Sequence, residues 1–133
     1  MDLALMAGDA VALWTGLHLV LLLVLSGLVV RQRRRHRIAI GDGGVPELAR
    51  ALRAFGNATE YVPGGLVALA ALALAGAEPP IVHAIGATLF AGRVAHGVGL
   101  TLTAGPSIGR MVGMLLTWIA YLAAAICLLL FSM

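Results

Sequence analysis

Arg50, Arg53, Asn57, Glu60 and Tyr61 interrupt a stretch of chain made mostly of small and aliphatic residues. With Arg50 at zero and about 100° per residue, Arg53 falls near ~300°, Asn57 near ~340°, Glu60 near ~280° and Tyr61 near ~20°. The five therefore share about 100° of one helix, a stripe that covers about 15 Å of axis from Arg50 to Glu60. Arg93 and His96 interrupt a second apolar stretch, and Arg110 opens a third. Arginine, unlike lysine, grips carboxylates and phosphates through two parallel hydrogen bonds. Four arginines around one carboxylate predict a net positive pocket, so the implied ligand is an anion. A second use of the same residues is an ion pair of Glu60 with Arg53 or Arg93 that fixes helix register. No metal site is expected.

The elements that must position these residues are membrane helices. The chain has 133 residues, 61% of them hydrophobic and 11% charged, with mean hydropathy +1.00. Soluble domains run nearer 45–50% apolar and about 25% charged. The apolar residues fall into four blocks, about 9–30, 47–76, 81–100 and 108–131, and about 20 residues of helix cross a bilayer. Together they form a single domain over 1–133. A secreted disulfide scaffold is excluded by the lone Cys127. The pI near 10.0 comes from a net charge of only +3 flanking membrane segments, which excludes nucleic acid as the partner. The acidic start and long first block read as a retained span rather than a cleaved leader. Pro46 suits a helix start, and Ala77-Glu78-Pro79-Pro80 and Gly105-Pro106 read as turns.

Short connections make neighbouring helices antiparallel, which predicts an all-α bundle of four transmembrane helices. Arg31, Arg33, Arg34, Arg35 and Arg37 crowd the first loop and Arg110 adjoins the third, whereas Asp2, Asp9 and Glu78 lie at the other side. The positive-inside tendency then puts both termini outside the cytoplasm. The arginine run anchors the chain at lipid headgroups or shares in binding an anion. A charge at bilayer centre costs at least about 2.5–3.5 kcal/mol, so the polar stripe is expected to face the bundle or a wet cavity rather than lipid. Arg93 lies about 10 Å from the cytoplasmic end of its helix, at the depth of Arg53 to Asn57, with His96 one turn nearer the cytoplasm. His18 and His83 read as packing or interfacial residues, Trp14 and Trp118 as packing or anchoring ones, and Cys127 as inert. Gly109 and Gly113 form a small-xxx-small pair that permits close helix contact.

The segment Arg50-Ala51-Leu52-Arg53-Ala54-Phe55-Gly56-Asn57-Ala58-Thr59-Glu60-Tyr61-Val62-Pro63 resembles the motif of the MAPEG family, membrane-associated proteins of eicosanoid and glutathione metabolism. Gly41-Asp42-Gly43-Gly44, His83-Ala84-Ile85-Gly86 and Gly92 to Gly99 are similar to its small bacterial inner-membrane branch. The similarity covers about residues 31 to 120. It implies a homotrimer with glutathione between adjacent subunits near the cytoplasmic face. Arg53, Asn57, Glu60 and Tyr61 match the family's glutathione-contacting motif, and Arg93 matches another family arginine. Arg50 and His96 flank these, and an arginine of the first loop, Arg31, Arg33 or Arg34, is implied to join them, with Arg33 the choice. Arg110 is nearest to the arginine that activates the thiol in the eukaryotic enzymes, offset by a few residues. The leukotriene-forming branch carries tyrosines where this chain has His96 and Leu100, which points away from eicosanoid chemistry.

Glutathione has two carboxylates for arginines and an ammonium and amides for Glu60 and Asn57. Its thiol has a reference pKa of about 8.5, and a nearby guanidinium favours the reactive thiolate. The resemblance thus implies a glutathione-dependent transferase or peroxidase of an inner membrane, acting on lipophilic electrophiles that enter from the bilayer. Two alternatives stay open. One is a non-catalytic relative that binds glutathione or another anion, and the other is a small proton-coupled transporter that uses Glu60.

Overall fold

The computed structural model describes residues 3–133, with side chains from residue 6 onward; Asp2 lies outside the described residues. Four helices make up the described residues: α1 (Leu3–His36), α2 (Pro46–Leu74), α3 (Pro79–Leu102) and α4 (Ile108–Phe131). Local chemistry accounts for most of the boundaries. Pro46 and Pro79 stand in the first turns of α2 and α3, each after an extended residue, Val45 or Glu78. Proline loses nothing there and holds the residue before it extended. Gly76 closes α2 at φ +86°, and the Ser107 hydroxyl accepts the Arg110 N–H (3.3 Å) at the start of α4.

Two expectations are corrected at these ends. Pro79 and Pro80 open α3 rather than forming a turn, because an N-terminal helix position has no use for their missing N–H. The first helix does not stop at residue 30: α1 has 34 residues, and Arg31 to Arg35 lie inside its last turns. Arginine is a good helix former, and cations suit a helix C-terminus. Arg37 then leaves the helix in the left-handed region (φ 57°), followed by positive φ at Gly41, Gly43 and Gly44.

α2 and α3 are central. α1 packs on both and α4 packs on both, while among the described residues the Cα atoms of α1 and α4 stay more than 8 Å apart. Apolar residues form layers. Ala10, Leu69, Leu72, Val82, Ile85, Leu89, Ala120 and Ala124 fill one end. Leu25, Ala54, Ala58 and Leu100 fill the middle of the other half, with Val29, Leu48 and Ala51 beyond them. Between the layers lies a belt of buried polar groups: His18, Asn57, Arg93 and Thr117. The outer surface stays aliphatic, with Leu23 72% exposed. α1, α3 and α4 are each long and apolar enough to cross a membrane. α2 has 29 residues, long enough as well, and differs by its charged stripe.

Candidate functional site

The inner face of α2 is set by Leu48, Ala51, Ala54, Ala58, Val62 and Gly65, spaced three or four apart and all buried. That face fixes where the stripe points. Asn57 sits on it and is buried, while Arg50 and Tyr61 are half-buried beside it. Arg53 and Glu60, about 40–60° further round, fall on the outer flank of the helix. The predicted buried carboxylate is therefore not buried in the protomer. Glu60 Oε1 lies 3.8 Å from Arg53 Nη1, and the two side chains are 55% and 64% exposed.

Arg93 of α3 goes the other way and is only 1% exposed. Its Nη1 donates to Asn57 Oδ1 (2.7 Å) and its Nε to Thr117 Oγ1 (2.9 Å). Its Nη2 lies 3.3 Å from Met114 Sδ. Cζ stands 5.0 Å from the centre of the Tyr61 ring, a cation–π contact. Among the described residues no carboxylate comes within ion-pair distance of Arg93. Asn57 instead relays the contact: its Nδ2 donates to Glu60 Oε2 at 3.4 Å. A single chain of polar contacts thus runs from Thr117 on α4 through Arg93 and Asn57 to Glu60 and Arg53 on the surface. Tyr121 of α4 donates its hydroxyl to the Tyr61 carbonyl and packs edge-on against the Tyr61 ring, with centres 5.9 Å apart. Pro63, inside α2, removes one backbone donor from this same turn.

His96 and Arg110 belong to a different hollow. With Ser107, Met111, Met114 and Trp118 they line a crevice of about 470 Å³ between α3 and α4. His96 is buried, and Arg110 Nη1 donates to the Gly105 carbonyl (2.8 Å). Met114 borders both the crevice and Arg93, which joins the two regions. Arg50 pairs with Glu47 one turn earlier, at 3.8 Å. Arg33 Nη1 donates to the carbonyls of Ala39 (3.1 Å) and Gly41 (3.0 Å), tying down the first loop. The expected single ring of cations is therefore not formed within one protomer. Arg53, Asn57, Glu60, Tyr61 and Arg93 come together, His96 and Arg110 form a second group, and Arg33 and Arg50 are engaged locally.

Thr117, Met114 and Tyr121 had no signal in the sequence, because each acts on a residue more than 20 positions away. The glycine pair did carry one. A Cβ on Gly113 would lie 2.5 Å from the His96 nitrogen and 2.7 Å from the Gly92 carbonyl. Helices α3 and α4 therefore meet backbone to backbone, which brings Thr117 within reach of Arg93. Trp14 Nε1 donates to His83 Nδ1 (3.2 Å), a partnership between α1 and α3 that was equally hidden.

The MAPEG family model matches residues 11–130. Over 88 residues the chain is 44% identical to Inner membrane protein YecN of Escherichia coli strain K12, an alignment covering 66% of this chain and 67% of the relative. The protein of the same name from Escherichia coli O6:H1 strain CFT073 matches equally. With four helices around an arginine–asparagine–glutamate–tyrosine stripe, and a family match over nearly its whole length, this chain is a multi-pass membrane protein of the MAPEG family.

Proposed function

We propose that the protein is a glutathione-dependent transferase or peroxidase of an inner membrane, working as a homotrimer on lipophilic electrophiles. One observation carries this reading. Arg53 and Glu60 form an ion pair on the outer flank of a membrane helix, more than half exposed, and backed by the buried Asn57 and Arg93. Two charges against lipid are costly, so a neighbouring subunit is expected to cover them. The covered space offers a guanidinium and a carboxylate side by side, the complement of a peptide that carries both a carboxylate and an ammonium. The name of the Escherichia coli relatives supports the choice of membrane.

Glutathione would lie between subunits near the cytoplasmic face, with both termini of the chain on the far side. Arg53 holds a carboxylate, Glu60 the ammonium, and Asn57 and Tyr61 the peptide backbone. Arg110, at the mouth of the crevice with His96, stabilises the thiolate. The crevice also offers Met111, Met114 and Trp118 to an apolar co-substrate. With a chloronitrobenzene the sulfur bonds to the ring carbon bearing chlorine, and chloride leaves. Calorimetric titration of the detergent-solubilised protein with glutathione, followed by absorbance of the thiolate, tests the reading. Heat of binding, a thiolate band and conjugate formation are expected, and absence of all three overturns it.

His96 favours a second reading, since it replaces a tyrosine of the leukotriene-forming branch. Here the protein binds glutathione or another anion without turnover. Binding heat with no conjugate would select it. Proton release on adding lipophilic cations would instead select transport through Glu60.

A further inference from the structure

We infer that the C-terminal turns of α1 form a binding site for an anionic phospholipid. With Arg31 at zero, Arg34 falls near ~300° and Arg35 near ~40°. On the same helix Val20 falls near ~340°, Leu23 near ~280°, Val24 near ~20° and Gly27 near ~320°. All seven share about 120° of one face, and all seven are exposed. An aliphatic ridge thus runs straight into a patch of guanidinium groups. From Val20 to Arg31 is about 16 Å of helix, the hydrocarbon depth of one leaflet. Acyl chains laid along Val20, Leu23 and Val24 would bring their phosphate to Arg31, Arg34 and Arg35.

Among the described residues no side-chain hydrogen bond engages Arg31, Arg34 or Arg35. The loop carbonyls that follow the helix are held by Arg33, which points elsewhere. Among the described residues no carboxylate lies within 4.0 Å of Arg31, Arg34 or Arg35. α1 has 34 residues, about 51 Å, so its last turns emerge from the roughly 30 Å hydrocarbon layer into the headgroup region. Arginine binds phosphate through paired hydrogen bonds, which distinguishes this patch from a diffuse positive charge. Continuity with the apolar ridge selects a lipid over a soluble phosphate.

The test compares purified protein in phosphatidylcholine nanodiscs with protein in nanodiscs that also contain phosphatidylglycerol. Phosphatidylglycerol is expected to raise the thermal midpoint, and R31Q/R34Q/R35Q to abolish the rise. Each basic side chain near an anionic surface gives about a fivefold gain, so the triple variant should lose on the order of a hundredfold in preference for the anionic lipid. An equal rise in the triple variant overturns the site. So does an equal rise of the wild type in phosphatidylcholine nanodiscs given inorganic phosphate. Native mass spectrometry of the wild type supplies a readout independent of the variant's folding. Retained lipid should be enriched in phosphatidylglycerol over the bulk mixture, and bulk composition overturns the inference.

Discussion

At Arg93 a cation is held in the centre of the bundle, among the described residues, by neutral partners: Asn57, Thr117, Met114 and the Tyr61 ring. This makes Asn57 answer to two neighbours at once, Arg93 behind it and Glu60 in front. Arg93→Leu leaves the Asn57 carbonyl oxygen without a partner, which costs about 1–3 kcal/mol. Replacing both residues by leucine removes the orphaned group as well, so the double variant should be more stable than the sum of the single losses. Denaturant unfolding in detergent of the four proteins of this cycle reads the coupling, and strict additivity would show that the contact carries none. Glu60→Gln keeps the shape of the side chain but not its charge. Glutathione affinity should fall by about ten- to a hundredfold by calorimetry, since hydrogen bonds to charged groups contribute about 1.5–3 kcal/mol. Arg110→Ala is expected to lower kcat more than it raises KM. It should also move the inflection of the pH–rate profile upward, towards the ~8.5 of a free thiol.

For the helices, the decisive contact is α3 on α4. Gly92, Gly99 and Gly113 leave no room for a Cβ without meeting backbone of the opposite helix, and Gly109 is tight. Because backbone cannot swing aside as a side chain does, Gly113→Ala must push the helices apart. A loss of about 1–3 kcal/mol is expected, together with weaker glutathione binding, as Thr117 retreats from Arg93. Gly27→Ala has nothing within 4 Å of the new methyl group, so it should leave glutathione binding unchanged and cost no stability, gaining up to about 1 kcal/mol from helix propensity. Thermal unfolding of the two variants side by side checks the contrast, and equal losses would sink it.

On the scale of the whole molecule, the proposed trimer would cover what a single chain leaves exposed. The protomer's polar chain surfaces at Arg53 and Glu60, on a helix whose other flanks are apolar. Assembly of three copies is the expected remedy, measured as the protein mass in detergent by light scattering. A monomer that still binds glutathione would separate ligand recognition from assembly and overturn the inter-subunit site.

Composition and spacing already determined the membrane class, the four helices and the stripe on α2, because hydrophobic block length and helical period are local properties of a chain. The motif from Arg50 to Pro63 was legible for the same reason: charges that close together in apolar sequence declare themselves. Which way each charge points was decided only by packing. Leu48, Ala51 and Ala54 set the rotation of α2, so that Asn57 turns inward while Arg53 and Glu60 turn outward. Gly92 and Gly113 set the approach of α4, and so gave Arg93 its hydroxyl partner. Those outcomes depend on contacts between residues distant in the chain, and one sequence read along its length has no term for them.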